Sequence, residues 1–268
     1  MIDSPYLVKP GKKVALSKVP TDDRGDFKDK EDATVELEKL LKRFDALQEV
    51  MYAEGKHALL IVFQAMDAGG KDGAIEMVFS GINPQGCQVQ SFKVPTPLEK
   101  SHDFLWRVHA VAPPKGMIGI FNRSHYESVL VERVKDLVPQ KVWKQRYARI
   151  CEFEQLLADE GTVILKFYLH ISKDEQKQRL QARLDDPRKN WKFNPGDLLE
   201  RENWDAYQEA YEDALNKCST AYAPWFIVPS DRKWFRNWVI TDTIVKVLEG
   251  LDMKFPPPIA DLQKLVIT

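Results

Sequence analysis

The chain has 268 residues, with 39 basic and 40 acidic side chains and a formal charge of −1. That balance excludes a uniformly basic nucleic-acid coat and a polyacidic disordered chain, while leaving room for a local basic channel. The 44% of hydrophobic and 10% of aromatic residues are ample for a packed globular core.

Residues 1–30 hold Pro5, Pro10 and Pro20 among many charges, which predicts an irregular arm draped over the body. From Asp32, apolar residues recur three and four apart (Leu37, Leu40, Leu41, Phe44, Leu47, Val50, Met51), the spacing of a helix that Gly55 stops. Ala58–Gln64 is then an uninterrupted apolar run, which suits a central parallel strand covered on both faces. A Gly-rich turn at 65–73 leads into a helix through Phe79. Further strands are predicted at Val89–Val94, Met117–Phe121, Val163–Ile171 and Trp225–Val228. Helices are predicted around Leu98–Val111, through much of 125–160, after Ser172, around Arg201–Lys217 and from Asp231 to Leu251. Strands alternating with helices predict an α/β fold, an open and mostly parallel five-stranded sheet with helices on both faces. No linker divides the chain, so one domain spans 1–268, with residues near 183–200 reading as a lid or insertion.

Cys87, Cys151 and Cys218 lie more than 60 residues apart, without metal-ligand or redox spacing, and read as small buried residues in a reducing compartment. The N-terminal stretch lacks a signal-like apolar segment, and the longest apolar run is far short of a membrane span. A soluble, cytoplasmic protein with no membrane partner is the expectation.

The most informative stretch is Ala58–Ile75, in which a buried strand, a small-residue turn, a lysine and a helix follow in order. Ala68, Gly69 and Gly70 let the backbone curl so that N–H groups converge, the next helix contributes its positive end, and Lys71 adds an ammonium. Asp72 and Gly73 complete this cradle for a phosphate chain. Against G-x-x-x-x-G-K-[ST] the match is incomplete: Ala65 stands for the first Gly and Asp72 for the hydroxyl residue. Asp67 is either a turn residue paired with Lys71 or a group that ligates Mg2+ or orients an acceptor phosphate. The strand Met117–Phe121 runs into Asn122-Arg123-Ser124-His125-Tyr126-Glu127, too polar for packing alone. There Arg123 suits transferring phosphoryl charge and Glu127 suits a magnesium ion or its waters. His125 reads as a hydrogen-bonded structural residue.

The segments FQAMDAGGKDGAI, GIFNRSHYE, ARLDDPRKNWKFNPGDL and APWFIVPSDRKW, in order from about Lys30 to Leu251, closely resemble the polyphosphate kinase 2 family. The resemblance implies a P-loop kinase-like three-layer α/β/α fold, with a core over 58–251 that includes a helical lid at about 183–205. It implies Mg2+-dependent, reversible transfer of a phosphoryl group from inorganic polyphosphate to nucleotides, with Mn2+ as a possible substitute. A homo-oligomer, dimer or tetramer, is also implied. Asn122, where many members carry Asp, resembles the subgroup acting on both AMP and ADP; guanine nucleotides are a further acceptor class. Carried over by position, Asp67, Lys71, Asn122, Arg123 and Arg183 are the expected catalytic residues, with the metal duty on Asp67 and Glu127. Arg133 and Lys135 are expected to bind the polyanion, with Lys141, Lys144, Arg146 and Arg149 as further cations that read equally well as a solvated helix face. Lys189 belongs to the basic stretch 183–192, which would close as a lid over phosphates. The rival readings are an ATP-dependent P-loop nucleotide or small-molecule kinase and a non-catalytic polyanion-binding protein. Nucleic acid is not an expected partner.

Overall fold

A computed structural model describes residues 4–258 and, beyond them, residues 262, 265 and 267. In chain order the strands are β1 (Ala58–Ala65), β2 (Cys87–Ser91), β3 (Ile118–Asn122), β4 (Thr162–His170) and β5 (Trp225–Pro229). The helices are α1 (Lys30–Glu54), α2 (Lys71–Phe79), α3 (Pro97–Lys100), α4 (Trp106–His109), α5 (Val131–Val134) and α6 (Gln140–Asp159), then α7 (Lys173–Asp185), α8 (Gly196–Glu202), α9 (Trp204–Cys218) and α10 (Lys233–Glu249). The strands form one sheet in the order β2-β3-β1-β4-β5, and every pair among the described residues is parallel. All eight residues of β1 are buried, as its apolar run requires of a central strand.

Alternate strand residues feed two cores. Leu60, Val62, Tyr168 and Trp225 pack with α6 and α9 on one face. Leu59, Ile61, Phe63, Phe167 and Phe226 pack with α1, α2 and α10 on the other. The result is the three-layer α/β/α arrangement. The arm is tied to the body by backbone: Val8 N donates to Trp225 O and Ile227 N to Tyr6 O, both at 2.9 Å, beside an antiparallel bridge from Leu7 to Phe226.

Two predicted helices differ in detail. Leu98–Val111 is broken into α3 and α4, because Thr96 and Glu99 form a capping box that opens one turn and Asp103 Oδ1 accepts from Leu105 N to open another. The helix expected from Arg201 begins earlier and in two pieces, α8 and α9, interrupted at Asn203. The edge strand β2 ends at Ser91 instead of Val94.

One polar cluster sits inside the apolar layers. Lys166, in the middle of β4 and fully buried, donates to Glu154 Oε2 (2.5 Å), Tyr126 OH (2.8 Å) and Cys218 O (2.7 Å). Glu154 also accepts from Tyr126 OH (2.9 Å) and lies 3.1 Å from His125 Nε2. Burial alone would raise the Glu154 pKa, but Lys166 and His125 outweigh it and hold the carboxyl below its usual range. This cluster anchors the segment that follows β3 to α6 and β4. Glu154→Leu should lower stability by about 3–5 kcal/mol, because it strands a buried ammonium. The double variant Glu154→Leu/Lys166→Met should recover most of that. Urea unfolding midpoints of the two variants check this, and a single variant as stable as the wild type would contradict it.

Candidate active site

The central strand β1 ends at the C-terminal edge of the sheet, where open α/β sheets bind ligands. Its chain then turns through Met66–Gly70 into α2. Ala68 (φ 58°) and Gly70 (φ 94°) both adopt the left-handed region, which bends the backbone sharply. Gly69 is required by close approach, since a Cβ there would lie 2.5 Å from Ala65 Cβ and 2.7 Å from the Met66 carbonyl. Ala74 N is the first amide of α2 to bond back, to Gly70 O at 3.0 Å. The amides of Lys71, Asp72 and Gly73 therefore precede the first intrahelical bond at a positive helix end.

The loop's carbonyls are taken up by side chains from other elements. Gln176 Nε2 donates to Asp67 O at 2.8 Å. Arg179 Nη1 donates to Ala68 O (3.2 Å) and Gly69 O (3.1 Å). Arg236 Nη1 donates to Gly70 O at 3.1 Å. Lys71 Nζ reaches back to Ala65 O at 3.3 Å.

Beside this loop, β3 ends in Asn122, whose Nδ2 donates to Asp72 Oδ1 at 2.7 Å. Arg123 has φ 63°, a conformation costly for a non-glycine residue and held by its surroundings. Ser124 Oγ accepts from Gln64 Nε2 (3.1 Å) and Tyr126 N (3.2 Å), and Arg123 N bonds Phe63 O (3.1 Å). So presented, Arg123 donates to Asp67 Oδ1 at 3.2 Å, and its other Nη lies 3.6 Å from Glu127 Oε2.

A cavity of about 1100 Å3 opens over these residues. Nine cationic side chains and four carboxylates line it, so its walls carry excess positive charge. Asp67, Lys71, Asn122, Arg123, Arg183 and Lys189 all face it, as do Ala68, Gly69, Gly70, Asp72 and Gly73. Burial lowers the Lys71 pKa, and Arg123 adds to that shift. Burial and then Arg179 push Arg236 down to about 9 and also lower Lys233. Cations crowded in this way are stabilised by a bound anion. Arg183 Nη1 donates to Asp197 Oδ2 (3.3 Å) and Lys192 O (3.2 Å), and Lys189 Nζ is 2.9 Å from Asp186 Oδ2.

Three expected site residues stand apart from the cavity wall. Glu127 is half-buried behind Arg123, and burial raises its pKa against the pull of Arg123 and Lys71. Arg133 is not on the wall: its Nη1 bonds Asp213 Oδ2 (2.6 Å) and Tyr147 OH (3.2 Å), and its guanidinium lies over Trp143. Lys135 is ion-paired with Glu200. The short α5 packs against α9, where Arg133 meets Asp213, while Lys135, just past α5, meets Glu200 of α8, and neither cation lines the cavity. Arg146 and Arg149 are likewise paired, with Glu132 and Glu152. Conversely, the sequence reading missed Lys93, Gln176, Arg179, Lys233 and Arg236. Lys233 falls inside the motif APWFIVPSDRKW, while the others carry no local signal.

Asp67 and Glu127 stand on either side of Arg123, and hard carboxylate oxygens in that number are what Mg2+ takes from a protein when phosphates and water complete its shell. Among the described residues no group of three or more His, Cys, Asp or Glu side chains gathers to hold a metal ion, so phosphates and water would have to complete the shell of an ion held by Asp67 and Glu127.

The family model described as Polyphosphate kinase 2 (PPK2) matches residues 27–256. An AMP/ADP-polyphosphate phosphotransferase of Meiothermus ruber is 56% identical over 263 residues, covering 98% of each chain. An ADP-polyphosphate phosphotransferase of Rhodopseudomonas palustris is 46% identical over 94% of this chain and 91% of its own. The crystal structure of polyphosphate kinase 2 from Arthrobacter aurescens TC1 matches with a TM-score of 0.92 at 40% identity, covering 98% of this chain and 97% of that one.

The tightness of the loop has a direct consequence for Gly69→Ala. Its methyl would meet Ala65 and Met66, so stability should fall by about 1–3 kcal/mol, and affinity for inorganic pyrophosphate should fall with it. Urea unfolding and calorimetric titration measure the two effects; no change in either would show that the loop tolerates a side chain there.

Proposed function

The chain belongs to the polyphosphate kinase 2 family, and from that premise we propose that it transfers a phosphoryl group between inorganic polyphosphate and the adenine nucleotides AMP and ADP. The observation that carries this reading is the large cationic cavity over the β1–α2 loop, at the C-terminal edge of the sheet. Its size and charge suit two phosphate-bearing molecules meeting end to end, and the Meiothermus ruber and Rhodopseudomonas palustris relatives are named for polyphosphate with AMP/ADP and with ADP, respectively.

In this reading an oxygen of the acceptor phosphate attacks the terminal phosphorus of polyphosphate. The bridging P–O bond to the next phosphate breaks, and the chain leaves one phosphate shorter. No covalent enzyme intermediate is needed, and catalysis consists of positioning and charge neutralisation. Lys71 and the amides at the start of α2 hold phosphate oxygens, and Arg123 spreads its planar fork over the group in transit. Asn122 fixes Asp72 at the mouth of the loop. Arg183 and Lys189 close over the reacting groups and exclude water, which would otherwise compete as acceptor. Asp67 and Glu127 would hold Mg2+, or Mn2+ in its place, and the ion would neutralise oxygens of donor and acceptor phosphates. A homo-oligomer, guanine nucleotides as further acceptors and a cytoplasmic setting complete the proposal; the three free thiols support the last. No described helix is long and apolar enough to cross a membrane.

Enzyme, Mg2+ and polyphosphate incubated with ADP or AMP, in the absence of ATP, should yield ATP or ADP. Product only when ATP is the donor would instead identify an ATP-dependent kinase on this fold. Asp67→Asn should lower turnover roughly 10²-fold or more with nucleotide affinity kept, and unchanged turnover would remove Asp67 from the mechanism.

A further inference from the structure

Arg179 is one of the cations that line the cavity, yet every hydrogen bond of its guanidinium goes to the protein itself. Its Nε donates to Glu175 Oε1 at 2.7 Å. Its Nη1 donates to Ala68 O and Gly69 O, and its Nη2 to Ser230 O (2.5 Å) and Asp231 O (3.3 Å). An arginine has five N–H donors, and all five are spent here, on one carboxylate and four carbonyls. The side chain is only 9% exposed.

In a trans peptide the C=O and the N–H point in opposite directions across one plane. A group that holds the Gly69 carbonyl from behind therefore turns the Gly70 amide to the far side, and Arg236 does the same for Lys71 through Gly70 O. Arg179 also lies on α7, one turn before Arg183. A single planar group thus joins the phosphate loop, the turn after β5 and the helix that carries the lid arginine.

We infer that Arg179 is a positioning residue for the phosphoryl transfer, one that aims the Gly70 amide of the phosphate loop and fixes that loop relative to Arg183 without itself touching substrate. The inference rests on the proposed reaction. Lysine cannot replace it, because a single ammonium with three donors cannot span the Gly69 and Asp231 carbonyls in one plane.

Arg179→Lys and Arg179→Ala in the full chain test this, with kcat and KM measured in the polyphosphate-plus-ADP assay and the folded fraction measured by urea unfolding. Both variants should lose kcat by about 10²-fold per folded molecule, the scale of a small misplacement of reacting groups, with KM for ADP little changed. Guanidinium ion at millimolar concentration should restore part of the kcat of Arg179→Ala saturably and leave the wild type unaffected. Arg179→Lys turning over like the wild type would overturn the inference, as would an Arg179→Ala loss fully accounted for by unfolded protein. A wild-type chain that makes no ATP from polyphosphate would overturn the proposed reaction itself, and that result is read before any variant is compared.

Discussion

A backbone that offers consecutive amides to an anion must send its carbonyls the other way, and buried carbonyls must find donors. That constraint organises this molecule. The carbonyls of Asp67, Ala68, Gly69 and Gly70 are each received by a side chain of α7 or α10. The donors are Gln176, Arg179 and Arg236, so two of the three also bring positive charge to the region behind the amides. The sheet makes this possible: β1 pairs with β4, β4 pairs with β5, and the helices that follow β4 and β5 start beside the loop that follows β1. On the other side, β3 presents Asn122 and Arg123 from a turn held in a left-handed conformation by Gln64, Ser124 and the Phe63 carbonyl.

A net charge of −1 conceals how unevenly charge is arranged. Away from the cavity, cations meet carboxylates: Arg133 with Asp213, Arg146 with Glu132, Arg149 with Glu152. At the cavity, several cations meet neutral oxygens instead. Arg236 bonds Gly70 O and the amide oxygen of Asn237. Such bonds satisfy hydrogens without cancelling charge, so positive potential persists where a polyanion would lie. Burial first, and neighbouring cations second, lower the pKa values of Lys71, Lys233 and Arg236.

The sheet and the central loop were legible in the sequence because their signals are local. Ala58–Ala65 is apolar at every position but Gln64, the glycines follow at once, and Lys71 stands at the helix start. Asn122 and Arg123 were legible as polar residues straight after a buried strand. The outer clamp was not, because Gln176, Arg179 and Arg236 act on backbone carbonyls more than a hundred residues away, and carbonyls leave no trace in sequence. Arg133 and Lys135 show the converse: a basic pair close in sequence to Arg123 meets Asp213 of α9 and Glu200 of α8 instead of lining the cavity. Lys166 was hidden inside a run read only as a strand, although a lysine between Leu165 and Phe167 in a doubly covered strand already demands a buried partner.

The central claim is that the amides at the start of α2, aimed by the clamp behind them, receive the phosphate chain. Titrating the 15N-labelled full chain with inorganic tripolyphosphate and following its amide resonances tests that claim most directly. Large, saturable shifts at Gly70, Lys71 and Asp72, with the amides of 133–144 unmoved, are the predicted result. Shifts centred on residues 133–144, with the loop amides unmoved, would contradict it.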